Sequence, residues 1–330
     1  MKNIAVLGAT GLVGEEVIKI LEQRNFPIRE LLPFASERSE GQVILYKERE
    51  LEVLTDYNAL IGQAKIVFGC LDAPLAKEIV PKFAERSVVI DNSNAFRMDP
   101  EVPLIIPEIN PEKLKEHKGI IANPNCSTIQ MLVALYPLHK KAKVKRIFVA
   151  TYQSVSGAGK NALDELRYEF EYLSMGHDIE KPEDAVFKHP IGNNIIPQIG
   201  GFDDQGYTSE EIKMLNETRK IFDDESIQVT STCVRVPVYV GHSEALSVEF
   251  ENPISPAEAI GILQEAPGVK VFDKDEIYPI PISAVGKDAV FVGRIRKDLA
   301  FENGLAMWIV ADNIRKGAAL NAVQIAELLL

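Results

Sequence analysis

The chain has 330 residues, 46% of them hydrophobic and 25% charged, with a formal net charge of −12. This length suits two domains, and the balance is that of an ordinary globular protein. So negative a chain repels nucleic acid and anionic membranes, which excludes both as expected partners.

In chain order, residues 2–7 ("KNIAVL") predict a short apolar strand, followed by the glycine-rich "GATGLVG" and a helix in "EEVIKILEQRN". In that helix Val17, Ile18 and Leu21 recur at helical spacing. "IRELLPFAS" (28–36), "KIVFGC" (65–70) and "SVVIDNS" (87–93) predict further strands, with a helix over 75–86. These strands do not alternate, as expected where helices cover both faces of a parallel sheet. After about residue 126 the pattern changes. Residues 146–156, 228–241, 244–250 and 306–313 read as longer, alternating strands of a mixed or antiparallel sheet with one wet face. A polar loop, "IPQIGGFDDQGYTSEE", leads into a helix start, and residues 313–330 read as one closing helix. The basic run "HKKAKVKR" (139–146) reads as a solvated helix end entering a strand.

The N-terminal segment enters a strand almost directly, with no charged, apolar and cleavage regions of a targeting segment, and no apolar run reaches membrane-spanning length. Cys70, Cys126 and Cys233 are too few and too widely spaced for a disulfide framework or a zinc site. A reducing, cytoplasmic compartment is expected.

Gly8, Gly11 and Gly14 form G-x-x-G-x-x-G between a strand and a helix. Glycine there permits a tight turn and close approach to a pyrophosphate, whose charge the helix N-terminus stabilises. The cofactor-binding segment is expected to be Gly8, Thr10, Gly11, Leu12, Val13 and Gly14. At the end of the second strand, Ser36, Arg38 and Ser39 stand where an NAD enzyme usually has a carboxylate. Hydroxyls and a planar guanidinium suit a 2′-phosphate, so NADP is the expected cofactor, with Glu37 as the dissenting residue.

The stretch "NPNCST" (123–128) places Cys126 at a helix start. Ser127 with Gln130 is expected to form a capping box, which leaves Cys126 just outside the helix N-terminus, where a thiolate is favoured. Cys70 and Cys233 read as core residues. A cysteine nucleophile beside a nicotinamide implies hydride transfer through a thioester or thiohemiacetal.

"GATGLVG", "DNSNAFRMDPEVPLIIPEIN", "NPNCST", "QSVSGAGK" and "CVRVPVYVGHSEALSVEF" together resemble the aspartate-β-semialdehyde dehydrogenase family from residue 4 to the last helix. The resemblance implies an NADP-dependent homodimer that reductively dephosphorylates β-aspartyl phosphate to aspartate semialdehyde, towards lysine, methionine, threonine and diaminopimelate. It implies a Rossmann-like dinucleotide-binding domain (1–126 with 312–330) and an α+β catalytic and dimerisation domain with a mixed sheet (127–311). It assigns the nucleophile to Cys126 beside Asn125, the acid/base to His242, and acyl-enzyme orientation to Gln153. Arg235 becomes the carboxylate clamp, Glu210 the ammonium partner, and Lys213 and Arg97 the phosphate cations. Ser156, Gly157 and Asn321 fall near the nicotinamide, with Gln324 the substitute for Asn321.

Two of these assignments can be read further from spacing. Thr208 and Glu211 form a capping box that puts Glu210 and Lys213 on one helix face. Arg235 and His242 are seven apart and would face opposite sides of an unbroken strand, so a bend at Pro237 and Gly241 is expected. Three other functions share parts of this pattern. N-acetyl-glutamyl-phosphate reductase uses the same chemistry, but its acylated amine has no use for Glu210. A catalytically silent NADP-binding relative would have lost Cys126 or His242. A cysteine hydrolase would have no use for the glycine turn.

Overall fold

The computed structural model describes residues 1–274 and 276–330. They form two compact units, Met1–Asn125 with Gly317–Leu330, and Cys126–Lys316. The chain re-enters the first unit at Gly317, five residues later than the sequence reading placed it.

The first unit begins with β1 (Lys2–Leu7), α1 (Leu12–Gln23), β2 (Ile28–Phe34), and a hairpin of β3 (Val43–Tyr46) and β4 (Arg49–Glu52). It continues with α2 (Tyr57–Leu60), β5 (Ile66–Gly69), α3 (Ala73–Ala84), β6 (Val88–Asp91) and β7 (Ile120–Ala122). Five strands make a parallel sheet in the order β2-β1-β5-β6-β7. The unbroken apolar run of β1 has the expected cause. Ile4 and Val6 enter the core shared with Val17, Ile18 and Leu21 of α1, whereas Ala5 and Leu7 enter the opposite core with Ile79, Val80 and Phe83 of α3.

The second unit comprises α4 (Cys126–Ala142), β8 (Val144–Gln153), α5 (Lys160–Ser174), α6 (Ser209–Phe222), β9 (Gln228–Arg235) and β10 (His242–Phe250). It continues through α7 (Pro256–Gln264), β11 (Val269–Phe272), α8 (Pro281–Ala284), β12 (Val290–Lys297) and β13 (Gly304–Ala311). Its six-stranded sheet is mixed, in the order β11-β12-β13-β10-β8-β9. Strands β8 and β9 are parallel, while β10 lies antiparallel to both β8 and β13. One face packs against helices such as α4, with Leu246, Val248 and Phe250 of β10 buried. The other face exposes Phe148 and Tyr152. The basic run at 139–146 is a solvated surface: Lys143 pairs with Glu251, and Lys145 and Arg146 pair with Glu249.

Residues 313–330 are not one helix. A π turn, Arg315–Ala319, precedes α9 (Leu320–Glu327), whose Leu320, Val323 and Ile325 are buried in the first unit's core. Among the described residues no helix is long and apolar enough to cross a membrane, and no cluster of metal-binding side chains occurs.

Candidate active site

The glycine turn of the first unit is built as its spacing requires. Gly8 has φ of +82°, and a Cβ there would lie 2.3 Å from the carbonyl oxygen of Cys70. A Cβ on Gly14 would lie 2.2 Å from the Gly8 carbonyl oxygen, so only glycine lets α1 start this close to β1. Gly11 is exposed at the N-cap of α1, where the first helical N–H groups suit a phosphate. Leu12 and Val13 open that helix half-buried. Strand β2 ends at Phe34, and Ser36, Arg38 and Ser39 follow in a short 3-10 turn. Ser39 is buried against Thr10, with their hydroxyls 3.1 Å apart, whereas Ser36 and Arg38 stay exposed. The Thr10–Ser39 contact brings the end of β2 to the glycine turn, an arrangement that suits a dinucleotide.

Arg97 and Asn321 also belong to the first unit. The Arg97 Nε and Nη2 donate to the carbonyls of Asn123 and Asn92, each at 2.9 Å. Asn321 donates from Nδ2 to the Ile105 carbonyl at 3.0 Å and to Asn123 Oδ1 at 2.7 Å. The Asn321 amide therefore anchors the segment that leads to the cysteine, a structural tie that the sequence reading did not include. Gln324 donates to Glu108 instead.

The remaining site residues belong to the second unit. Cys126 is the first residue of α4 and is half-buried. The capping box expected from Ser127 and Gln130 is not formed. The Gln130 side chain is fully buried and neither of its polar atoms makes a hydrogen bond among the described residues. The helix starts at Cys126, two residues earlier than the Thr128 start that box required, and Gln130 turns into the core instead. The box at the start of α6 is present: Thr208 Oγ1 accepts from the Glu211 N–H, and Glu211 accepts from the Thr208 N–H.

The α6 cap aims Glu210 at the sheet. Glu210 is 5% exposed; its Oε1 accepts from Gln153 at 3.2 Å and its Oε2 from Lys213 at 3.1 Å. Gln153 ends β8 directly beside Arg235, which ends β9. Arg235 is buried, donates to the Ser154 carbonyl at 2.8 Å, and lies over the Phe187 ring. Burial lowers the pKa of its guanidinium, and Glu210 and Cys126 act in the opposite sense. A cavity of about 280 Å³ adjoins it, lined by Phe187, Lys188, Ile196, Gln198 and Arg235.

The bend between Arg235 and His242 is real. Strand β9 stops at Arg235 and β10 starts at His242 on the far side of β8. The link crosses the end of β8 through hydrogen bonds from Val155 and Ser156 to the Val238 and Tyr239 carbonyls, and Gly241 takes φ of +98°. Both side chains then reach one point. A Cβ added at the exposed Gly157 would lie 2.8 Å from Arg235 Nη1 and 3.2 Å from His242 Nε2. His242 is fully buried, and its Nε2 makes no hydrogen bond among the described residues. Burial, and then the Arg235 charge, push its pKa down to about 3 against a weaker opposing pull from Glu210.

Sequence reasoning missed Ser154, Asn313 and Glu244. The Ser154 N–H donates to His242 Nδ1 at 3.0 Å, and Asn313 bonds to Ser154, Ser156 and the Gly241 N–H beside it. Glu244 is fully buried one pleat along from His242, and burial holds its pKa well above the usual carboxylate range. Gln130 lies near enough to favour the Glu244 carboxylate, yet Glu244 also makes no hydrogen bond among the described residues. The alternation of β10 carried this signal, since Glu244 shares the inward face with Leu246 and Val248. Cys233 is a core residue, as read, whereas Cys70 is half-buried and packs against the edge of the first unit's core; burial raises both thiol pKa values.

Residues 3–117 match the family described as "Semialdehyde dehydrogenase, NAD binding domain", and residues 135–316 match "Semialdehyde dehydrogenase, dimerisation domain". Cys126 falls in the stretch between the two. The chain is 55% identical to the aspartate-semialdehyde dehydrogenase of Aquifex aeolicus, over 99% of this chain and 98% of the relative. It is 45% identical to that of Bacillus subtilis, over 98% and 96%. The crystal structure of aspartate semialdehyde dehydrogenase II from Vibrio cholerae, complexed with ASA, superposes with a TM-score of 0.96 at 46% identity, covering 100% of this chain and 98% of that one. The Candida albicans aspartate semialdehyde dehydrogenase with NADP superposes with a TM-score of 0.76 at 27% identity, covering 100% and 98%.

Proposed function

Because the chain belongs to the aspartate-semialdehyde dehydrogenase family, an oxidoreductase family of amino-acid biosynthesis, we propose that it reduces L-β-aspartyl phosphate to L-aspartate 4-semialdehyde with NADPH, reversibly and with release of phosphate. It would act as a cytoplasmic homodimer on the routes to lysine, methionine, threonine and diaminopimelate. The observation that carries this reading is the grouping of Cys126, Glu210, Arg235 and His242 in one unit, with Arg235 buried in electrostatic reach of both Cys126 and Glu210.

In the forward direction the Cys126 thiolate, favoured at the start of α4, attacks the acyl phosphate carbonyl. The C–O bond to phosphate breaks, a thioester forms, and Lys213 and Arg97 receive the leaving phosphate. Gln153 and Asn125 orient the acyl group. Arg235 clamps the substrate carboxylate with its planar fork, and Glu210 takes the ammonium. Glu210 favours a free amine over an acylated one, which argues against the N-acetyl-glutamyl-phosphate reaction. The dinucleotide, when bound, supplies the hydride that reduces the thioester carbon. Residues Gly8 to Gly14 would hold its pyrophosphate, Ser36, Arg38 and Ser39 its 2′-phosphate, and Ser156, Gly157 and Asn321 are the residues proposed near its nicotinamide. His242 is the acid/base: it protonates the oxyanion that forms on the former carbonyl oxygen and takes that proton back as the C=O bond re-forms, the C–S bond breaks, the electron pair leaves on the Cys126 sulfur and the aldehyde is released.

The test is an NADP absorbance assay with aspartate semialdehyde and phosphate. The wild-type chain should reduce NADP only when phosphate is present. Cys126→Ala should abolish that turnover while NADPH binding stays within about twofold, because the glycine turn is untouched. Retained turnover in the variant would refute the nucleophile.

A further inference from the structure

Strand β9 is an edge of the six-stranded sheet, so one row of its backbone N–H groups has no strand to bond. Two consecutive members of that row are taken by other parts of the unit. The Arg235 N–H donates to the Ile196 carbonyl at 2.8 Å, and the Cys233 N–H donates to Glu211 Oε1 at 3.0 Å. The acceptor of the second bond is the side chain of a helix cap. Glu211 Oε2 already accepts from the Thr208 N–H at 2.7 Å and so closes the capping box of α6. One buried carboxylate thus joins the first turn of α6 to β9, two residues before Arg235. The cap of α7 shows how little of this a capping box needs. Among the described residues the Glu258 side chain hydrogen-bonds only within its own cap, accepting from the Ser255 N–H and hydroxyl, and it is exposed.

The neighbour of Glu211 in the chain is Glu210, whose Oε1 accepts from Gln153 at 3.2 Å. Gln153 is paired with Arg235 across β8 and β9. What holds α6 against β9 therefore sets the distance between a carboxylate on the helix and a guanidinium on the strand. The proposed substrate carries its ammonium and carboxylate on one carbon, so these two protein groups must keep one separation to hold both. Other contacts between α6 and β9 are weaker. Ser231 Oγ donates to the Glu211 carbonyl at 3.3 Å, and Cys233 Sγ lies 3.7 Å from Met214 Sδ. A bond to an ionised carboxylate is shorter and about twice as strong as a neutral one.

We propose that Glu211 is a positioning residue for the substrate: by joining the Thr208 and Cys233 N–H groups it fixes how far Glu210 stands from Arg235. The inference rests on the proposed reaction, which supplies a substrate with an ammonium and a carboxylate together. Both Glu211 oxygens are held by backbone N–H groups, so Glu211 reaches the chemistry only through its neighbour Glu210. A neutral amide at this position has one accepting oxygen and an NH2 that can only donate. It can accept from one of the two backbone N–H groups, and its NH2 then confronts the other, so α6 and β9 part. Any effect on Gln153 travels the same way, because its Nε2 donates to Glu210.

The experiment is a double-mutant cycle on the full chain, in the phosphate-dependent NADP assay with aspartate semialdehyde. Glu211→Gln should lower kcat/KM by about tenfold, mostly through KM, because the ammonium site is displaced and the cysteine is untouched. In a Glu210→Gln background the same change should lower it by less than about twofold, since the group that Glu211 aims is already gone. Thr208→Ala removes the cap hydroxyl and leaves both Glu211 oxygens bonded. It should lower the melting temperature while kcat/KM stays within about threefold of wild type. Equal losses in both backgrounds, or an unchanged kcat/KM in Glu211→Gln, overturn the proposal. A Thr208→Ala loss as large as that of Glu211→Gln puts the effect in the helix cap and overturns the tie to β9. Should Glu211→Gln fail to fold, Glu211→Asp enters the cycle in its place, because its shorter carboxylate cannot span both N–H groups. A wild type without activity on aspartate semialdehyde overturns the reaction and this inference together. An active wild type with an additive cycle overturns the inference alone.

Discussion

At the scale of single residues, the constraint on the space between Arg235 and His242 is an absence of side chain. Gly157 stands where a methyl group would meet Arg235 Nη1 at 2.8 Å and His242 Nε2 at 3.2 Å. Gly157→Ala should therefore lower kcat/KM by about 100-fold, since small misplacements of orienting groups are costly, with little change in melting temperature because the position is exposed. Steady-state kinetics with aspartate semialdehyde and a thermal melt would separate the two effects. The same scale shows what the sequence could convey. The capping box at Thr208 uses neighbours in the chain, so it was legible, and with it the aim of Glu210. The box at Ser127 obeyed the same spacing and did not form, because Gln130 faces the buried surface beneath β10. Spacing reports which contacts are possible, and burial chooses among them.

At the scale of elements, β10 carries two buried titratable groups whose pKa values move in opposite directions. His242 is pushed down to about 3 from an ordinary 6.5. Between those values the unfolded chain holds the extra proton, so stability is lost as pH falls below about 6.5. The Glu244 pKa is raised, so above the ordinary carboxylate range the folded chain holds the extra proton, and stability is lost as pH rises through that window. Glu244→Gln keeps the shape and removes the second loss. It should raise the melting temperature by about 2–4 °C at pH 8 and by less at pH 5, as calorimetry at both values would show. An equal gain at both would mean that the carboxyl does not titrate with unfolding. The strands themselves were largely readable, because β1, β5 and most of β6 are apolar and β8, β9 and β10 alternate; β13, expected to alternate, is instead apolar and buried along nearly its whole length because it is an inner strand. The hairpin of β3 and β4, and the strands β11 and β12, were not read as elements. β3, β4 and β11 are four residues each, too short to show a period. The π turn before α9 was equally hidden, since helical periodicity does not distinguish a π turn from an α turn.

At the scale of the whole molecule, the open face of the six-stranded sheet is aromatic. Phe148 and Tyr152 are 42% and 39% exposed, and they stack on Phe301 and Trp308 at centroid distances of 5.6 Å and 5.5 Å. This face lies within the segment that matches a dimerisation domain. If two chains pair through it, the double variant Phe148→Glu with Tyr152→Glu should sediment as a monomer and the wild type as a dimer. A variant that remained dimeric would move the interface elsewhere. Alternation in the sequence marks a sheet face outside the core, and by itself it does not distinguish a face that meets water from one that meets a second chain.

The first unit is discontinuous, closed by α9 from the far end of the chain, whereas Cys126–Lys316 is one uninterrupted segment. A ribosome makes these pieces in a fixed order. The segment bearing the cysteine is complete while the N-terminal sheet still lacks the helix that seals one of its cores, so that sheet must wait for residues 320–327 to emerge. Nascent chains stalled before residue 317 should thus resist protease from 126 onward and be cut readily before it. The first unit can complete its sheet only after residues 320–327 have been made.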